Sequence, residues 1–154
     1  MIAKTPTLFE ALSTVPVLAG ITAPAQLLIA TEGIVHDYLL GDLIVREGDE
    51  GHSFFILVEG DVEVIKHFGS DHAVTLAKLR GHTFFGEMSV VDPVPRTATV
   101  RAVTPVTVIE VKAATLHHLY RKMPEQYAIV ILNLARDLAR RLRTLDEAYA
   151  AKAG

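Results

Sequence analysis

The chain of 154 residues contains no cysteine and no tryptophan. The absence of cysteine excludes a disulfide framework, a thiolate-ligated iron–sulfur cluster and a cysteine redox switch. The longest apolar runs, such as residues 129–132, are far shorter than the ~20 residues that span a bilayer. A secretory signal would require a continuous apolar segment after Lys4, and none follows it. We therefore expect a cytoplasmic protein with no membrane partner.

The overall charge is also low. The chain has 15 basic and 18 acidic residues, a formal charge of −3, which argues against a general nucleic-acid binder. Half of the residues are apolar and 21% are charged, a composition that favours autonomous folding over disorder. The length fits one domain that buries roughly two-thirds of its unfolded surface. We predict a single domain over residues 1–154.

Three regions follow one another along the chain. Residues 7–31 have helical apolar spacing, which Pro16 and Pro24 divide into short helices. From about 35 to 111 the pattern changes to short β segments separated by glycine and aspartate turns, with Gly60 in the position of a hairpin turn. This pattern indicates an antiparallel barrel or jelly-roll-like sandwich. The predicted class is therefore mainly β with flanking helices.

The third region, about residues 113–150, is predicted to be helical. A short helix should end before Pro124, and a longer one should begin there. The longer helix, of roughly seven turns, has an apolar stripe formed by Ile131, Leu134, Leu138, Leu142, Leu145 and Tyr149. Such a helix extends beyond a small barrel, so its far half requires either the barrel mouth or a second copy of the chain.

Residues 85–100 contain the chemistry of an anion site. Backbone N–H groups near Gly86, at the start of a short helix, attract an anion. Arg96 can form a bidentate pair with two phosphate oxygens, and Glu87 is an acceptor suited to a sugar hydroxyl. The small residues Thr97 and Ala98 allow close approach to the backbone. The segment predicts a ligand with one phosphate and one sugar hydroxyl.

Taken in order, these segments resemble the cyclic-nucleotide-binding domain family, which includes bacterial catabolite activators, regulatory subunits of protein kinases and nucleotide-gated channels. The most specific element is the phosphate-binding cassette, residues 85–90 and 95–100. Residues 41–44, 47–49 and 55–64 support it. The resemblance covers about residues 12–150. It implies a β-roll flanked by helices and a ligand that is cyclic AMP or cyclic GMP, with no cofactor.

The resemblance also implies the site residues. Arg96 would pair with the cyclic phosphate, Glu87 would accept from the ribose 2′-hydroxyl, and the long helix would cover the base. The ligand-binding set is Phe85, Gly86, Glu87, Met88, Ser89, Arg96, Thr97 and Ala98. Contacts of the base or of the covering helix would come from Leu76, Leu145 and Asp146.

Two departures from the family pattern are visible. Leu145 and Asp146 fall where bacterial activators place base-contacting hydroxyl groups, and neither has one, although Thr144 stands one step earlier. The choice of base therefore does not transfer. His82 occupies a turn where the family usually has glycine, and we expect Gly81 to supply that turn instead.

The implied function is a sensor that binds its nucleotide without hydrolysing it. It would signal through the C-terminal helices to a downstream protein that the sequence does not identify, with a homodimer through the long helix as an option. We expect no catalytic residues. No recognition helix follows, as in the helix-turn-helix domain of the bacterial activators, so direct DNA binding is not expected. The arginines at 136, 140, 141 and 143 are interpreted as a solvated face, or alternatively as contacts for an acidic partner or the nucleotide.

Two alternatives remain. In a ligand-free scaffold of the same fold, Arg96 and Glu87 would form a structural ion pair. In a cupin-like metalloenzyme, histidines would ligate a metal. The seven histidines, at 36, 52, 67, 72, 82, 117 and 118, include no His-x-His pair of the kind such enzymes carry. We therefore expect surface histidines and no metal site.

Overall fold

The computed structural model describes residues 5–153, so the two ends of the predicted domain, residues 1–4 and 154, lie outside the described residues. The chain begins with α1 (Thr5–Ser13), a 3-10 turn (Pro16–Leu18) and α2 (Ala23–Glu32). Pro16 and Pro24 stand in the first turns of the last two segments. Proline is tolerated there because a first-turn N–H has no intrahelical acceptor.

Eight strands follow and form two antiparallel sheets. The first sheet has the order β1-β8-β3-β6 and the second the order β2-β7-β4-β5. The predicted class, mainly β with flanking helices, is confirmed. The strands are β1 (Ile34–Tyr38), β2 (Leu43–Val45), β3 (Ser53–Glu59), β4 (Asp61–Lys66), β5 (Val74–Arg80), β6 (Thr83–Phe85), β7 (Thr99–Ala102) and β8 (Val106–Lys112).

Side chains on β3 alternate between two hydrophobic clusters, as the period of a strand requires. Phe54 and Ile56 pack with the helices on one face of the first sheet. Phe55 and Leu57 face the second sheet, with Val62, Val100 and Val108 among their neighbours. The first sheet is therefore covered on both faces.

Two turns contain a residue with positive φ, which is a glycine in one turn and a histidine in the other. Gly60, between β3 and β4, has φ +91°, and a Cβ there would lie 2.2 Å from the Pro105 carbonyl oxygen, so only glycine fits, as its position in the sequence indicated. The expectation that Gly81 replaces the glycine of the next turn is wrong, because His82 itself adopts φ 73°. The His82 N–H donates to Leu57 O over 2.7 Å, and its Nδ1 lies 2.9 Å from Thr14 Oγ1. These two contacts stabilise a backbone conformation that non-glycine residues rarely adopt.

Three helices complete the fold: α3 (Met88–Val91), α4 (Ala113–Lys122) and α5 (Pro124–Ala153). The first half of α5 is anchored on the N-terminal segments. Asn133 donates to the carbonyls of Val17 and Ala19 over 3.1 and 2.9 Å, and the Gln126 side chain accepts from the Thr22 N–H over 2.7 Å. These bonds fix the direction in which α5 leaves the domain.

The apolar stripe of α5 changes its environment along the helix. Leu134 of the stripe is buried in the core, as is Val130 one turn earlier. Leu142, Leu145 and Tyr149 are 58%, 63% and 78% exposed. The sheets and the other described helices therefore leave the far half of the stripe uncovered.

Candidate functional site

Arg96, which follows α3, is the central charge of the candidate site. The residue is only 7% exposed. Its Nη1 donates to the carbonyls of Ser53 and Gly86 over 2.8 and 3.1 Å, and its Nη2 donates to Ser53 Oγ over 3.2 Å. Burial lowers the pKa of Arg96, and the charge of Glu110 acts in the opposite direction. The site therefore holds a buried guanidinium whose direct contacts are neutral acceptors.

Two glycines make room for this guanidinium. A Cβ on Gly51 would lie 2.1 Å from Arg96 Nε, and a Cβ on Gly86 would lie 2.9 Å from Nη1. Gly86 also has φ +81°. Sequence reasoning selected Gly86 but not Gly51, because the close approach depends on a residue 45 positions away.

The backbone of Arg96 is held by the loop between β2 and β3. The Arg96 N–H donates to Asp49 O and its carbonyl accepts from the Gly48 N–H, both over 2.8 Å. The guanidinium carbon lies 5.5 Å from the centre of the Phe55 ring, within cation–π range. The arginine is thus restrained at both its backbone and its side chain.

Glu87, at the start of α3, is 4% exposed and is contacted by the long helix. Arg141 of α5 donates from Nη1 to Glu87 Oε1 over 2.8 Å and from Nη2 to the Phe84 carbonyl over 3.1 Å. The same guanidinium lies 5.0 Å from the Phe84 ring centre and 2.6 Å from Asp137 Oδ2, the latter as an ion pair without hydrogen-bond alignment. The interpretation of Arg141 as a solvated side chain is wrong, whereas the arginines at 136, 140 and 143 are exposed as expected.

The ion pair that a purely structural interpretation requires is not formed. Glu87 pairs with Arg141, and the hydrogen bonds of Arg96 go to Ser53 and Gly86. The two charges that sequence reasoning placed together therefore each have a different partner, and sequence reasoning identified neither Ser53 nor Arg141 as one.

Three further residues of the predicted site are buried. Phe85 stacks on Phe55 with ring centres 5.3 Å apart, so its side chain belongs to the core between the sheets. Ser89 Oγ donates to Val94 O over 3.2 Å and closes the loop after α3. Ala98 is 8% exposed. These residues shape the segment around the site.

The other predicted contacts are exposed. Met88 and Thr97 lie together at the surface, with Thr97 Oγ1 3.8 Å from the Met88 sulfur. Leu76 on β5 and Leu145 and Asp146 on α5 also face outward. Leu145 lies one helical turn beyond the arginine that contacts Glu87, so it shares that face of α5.

Two absences hold for residues 5–153. No group of three or more histidine, aspartate or glutamate side chains there could hold a metal ion. None of the helices in that range is both long and apolar enough to cross a membrane.

A model of the cyclic nucleotide-binding domain matches residues 35–123, from β1 to just beyond α4. The chain belongs to this family. The match covers the cassette together with the strands that position it, so the predicted family is confirmed.

Relatives within this family include regulatory subunits of cAMP-dependent protein kinase. The chain is 33% identical to that of Hypocrea atroviridis and 38% identical to that of Neurospora crassa, each over 105 residues and 68% of the chain. It spans 21% and 25% of the length of these two relatives. The similarity is therefore to one part of each larger protein.

Solved structures of the family show the same fold. A cyclic nucleotide-binding domain from Methylobacillus flagellatus aligns with a TM-score of 0.82, covering 96% of this chain and 83% of the other at 22% identity. The catabolite activator protein of Thermus thermophilus aligns with a TM-score of 0.76, covering 90% of this chain and 63% of the other at 29% identity. The β-roll with its flanking helices is thus that of the family.

Proposed function

We propose that this domain is a sensor that binds cyclic AMP or cyclic GMP without chemically changing it. The observation that carries the proposal is the buried Arg96. Its Nε–H and one Nη2–H have no acceptor among residues 5–153. A buried cation is costly without an anion. A cyclic phosphate would supply both the negative charge and the missing acceptors.

The ribose would bind at Glu87. Arg141 engages Oε1 of this carboxylate, and Oε2 has no hydrogen-bond donor among the described residues. A sugar hydroxyl would donate to Oε2 without displacing the arginine. The backbone N–H groups at the start of α3 would complete the set of donors to the phosphate. The backbone segments that contain Met88, Ser89, Thr97 and Ala98 would surround the phosphate.

The base would lie under the face of α5 that Arg141 brings to the cassette. Leu145 and Asp146, one turn further along, and Leu76 on β5 are the proposed contacts. The two leucine side chains pack equally well against adenine and guanine, so they do not distinguish the two bases.

The signal would pass through the C-terminal helices. An apolar groove of about 460 Å³ separates α3 from α4 and α5, with Val90 and Val91 on one side and Tyr127 and Leu138 on the other. Phosphate binding would reposition α3 and so change how α4 and α5 pack across this groove. Only a difference in ligand affinity between two positions of α5 transmits a signal.

The proposed recipient is another protein in the cytoplasm. The named relatives are kinase regulatory subunits, of which the chain matches about a fifth to a quarter. We also propose a homodimer through the exposed apolar residues of α5.

The test is calorimetric titration of the chain with cyclic AMP and with cyclic GMP. Arg96→Ala should weaken binding on the order of 2–5 kcal/mol, because a desolvated charge pair is lost. Arg80→Ala, at an exposed arginine on β5, is the matched control and should bind like the wild type. Binding that survives Arg96→Ala would reject the phosphate assignment. A wild-type chain that binds neither nucleotide would favour the ligand-free scaffold.

A further inference from the structure

A chain of hydrogen bonds extends from Arg96 across three adjacent strands of the first sheet. Ser53 on β3 accepts from Arg96 through both its carbonyl and its hydroxyl. The same hydroxyl donates to Glu110 Oε2 on β8 over 2.7 Å. Glu110 Oε1 in turn lies 2.9 Å from His36 Nε2 on β1. The arginine is therefore connected through one hydroxyl to a carboxylate.

The single proton of the Ser53 hydroxyl decides how this connection works. A hydroxyl has one donor and two acceptor lone pairs. Because the proton is directed to Glu110, a lone pair of Ser53 Oγ is free to accept from Arg96 Nη2 at 3.2 Å. Glu110 thus sets the rotamer and polarity of the group that contacts the guanidinium.

Glu110 is held in its ionised form. Burial acts to raise the pKa of Glu110, but the hydrogen bonds from Ser53 and His36 and the charges of His36 and Lys112 together outweigh it, and the net pKa lies below the ordinary value. His36 on β1 and Lys112 on β8 itself lower the pKa of Glu110, and Glu110 in turn acts to raise the pKa of Tyr38 on β1 and of Arg96. The network therefore contains a carboxylate near Arg96 that does not touch it.

The arrangement does not suit nucleophilic catalysis. An activated serine donates its proton to a base such as histidine, which a carboxylate then orients. In this network the carboxylate stands between Ser53 and His36. Its geometry suits the holding of a neighbouring group instead.

We propose that Glu110 is a positioning residue for the phosphate-binding arginine, acting through Ser53. Glu110 orients Arg96 and supplies a counter-charge while the site is empty. Because the carboxylate is one hydroxyl removed, it leaves the Nε–H and Nη2–H donors of Arg96 free for a cyclic phosphate. A carboxylate in direct contact would compete with the ligand for them. The inference rests on the proposed role of Arg96 in phosphate binding.

Glu110→Gln isolates the charge. Glutamine has nearly the same size, its Oε1 can accept from Ser53, and its amide can donate to a neutral His36 ring. Ser53→Ala removes the connecting hydroxyl but keeps the carbonyl contact. The matched control is Asp37→Asn, because Asp37 accepts from Thr107 over 2.7 Å between the same two strands, β1 and β8, without a link to Arg96.

Two measurements are made on the whole chain: the dissociation constants for cyclic AMP and cyclic GMP, and the NMR signal of the Arg96 Nε–H in the empty protein. We expect Glu110→Gln and Ser53→Ala each to weaken binding roughly 3- to 30-fold, with the double variant within about twofold of the weaker single variant, because both changes break one pathway. The Arg96 signal should shift or broaden in both variants. Asp37→Asn should change neither quantity.

Several outcomes would overturn the proposal. One is a Glu110→Gln variant with wild-type affinity and an unchanged Arg96 signal. Another is a similar loss of affinity in Asp37→Asn, which would indicate general disturbance of the sheet. Additive losses in the double variant would show that Glu110 and Ser53 act separately. If the wild-type chain binds neither nucleotide, the proposed function fails, and the Arg96 signal alone then decides whether Glu110 positions the arginine.

Discussion

Arg141 of α5 forms an ion pair with Glu87 at the start of α3, with Nη1 2.8 Å from Oε1. The two residues are 54 positions apart in the chain. The carboxylate side chain is 5% exposed and the arginine side chain 37% exposed, so the pair lies at the edge of the interior, where screening by water is incomplete. The proposed ribose acceptor and the proposed covering helix are therefore in direct contact, and we expect a ligand that binds Glu87 to act on the position of α5 as well.

Replacement of Arg141 by alanine should weaken both nucleotide binding and the docking of α5. The substitution leaves the buried Glu87 carboxylate without its cation. It should cost about 1–3 kcal/mol of unfolding free energy, less than the roughly 3–5 kcal/mol for breaking a fully buried pair, because Arg141 is partly exposed. Calorimetric titration and denaturant unfolding measure the two effects.

The control for this experiment is one residue away. Arg140→Ala removes an exposed arginine from the adjacent position of the same helix. It should leave affinity and stability within about 0.5 kcal/mol of the wild type. Equal effects of the two substitutions would mean that the general positive charge of α5, rather than the contact with Glu87, is what matters.

Gly51→Ala should impair binding more than it impairs folding. The new Cβ would lie 2.1 Å from Arg96 Nε, and the backbone of Gly51 is not in the left-handed region. The Arg96 side chain has several rotatable bonds, so it should move away and relieve the clash, with loss of the hydrogen bonds that hold it in the site. We expect at least a tenfold loss of affinity (about 1.4 kcal/mol) and a smaller loss of unfolding free energy. A large drop in thermal stability with unchanged affinity would contradict this.

The sequence identified the parts of the site that are local in the chain. Gly86, Glu87 and Arg96 lie within one short segment, so their spacing alone suggested an anion site. The partners of these residues could not be found in the same way. Ser53 and Glu110 are 57 residues apart and meet only because β3 and β8 are neighbours in the first sheet.

The contact of Arg141 on α5 and the conformation of His82 also depend on residues that are distant in the chain, so the sequence alone did not predict them. Four arginines on α5 look equivalent in sequence, and only the direction in which the helix leaves the domain selects Arg141. Asn133 and Gln126 set that direction through bonds to segments more than 100 residues earlier. Similarly, the left-handed His82 depends on a distant contact with Thr14. Local propensity favoured Gly81, and the tertiary contact prevailed.

Gly60→Ala should destabilise the fold strongly. Its Cβ would lie 2.2 Å from the Pro105 carbonyl oxygen, a backbone atom that cannot move easily, and alanine is strained at φ +91°. Strain and overpacking together should cost about 2–5 kcal/mol. Gly41→Ala has the same φ of +91° with nothing within 4 Å, so it should show the strain alone, about 1 kcal/mol. The free energies of unfolding of the two variants can be measured with urea. Equal losses of unfolding free energy would contradict the steric argument.

Acid should destabilise the protein partly through Glu110. The folded-state pKa of Glu110 lies below the ordinary value of 4.5, although burial alone would raise it, because Ser53 and His36 donate to the carboxylate. As the pH falls, the unfolded chain takes up the proton first, so the contribution is present above about pH 4.5 and is lost below it. Urea unfolding between about pH 3 and pH 7 should show a smaller decline in Glu110→Gln than in the wild type. If the unfolding free energies of the two proteins declined equally with falling pH, Glu110 would make no contribution to the loss of stability in acid.

The far half of α5 should form a homodimer. Leu142 and Tyr149 are exposed and lie about two turns apart, which places them on one face of the helix. Leu145 lies between them and is assigned above to the base, so we expect Leu142 and Tyr149 to form the main pairing contacts with the same stripe of a second copy. Sedimentation equilibrium should therefore give about twice the chain mass of 16.8 kDa.

Leu142→Glu combined with Tyr149→Glu should give the monomer mass, because like charges would face each other across the pair, and neither residue belongs to the proposed nucleotide site. Leu27→Glu on α2, at a leucine that is 49% exposed, is the matched control and should remain dimeric. A wild-type chain that sediments as a monomer at every concentration, with and without cyclic nucleotide, would contradict the homodimer. The stripe would then be a binding surface for a different protein.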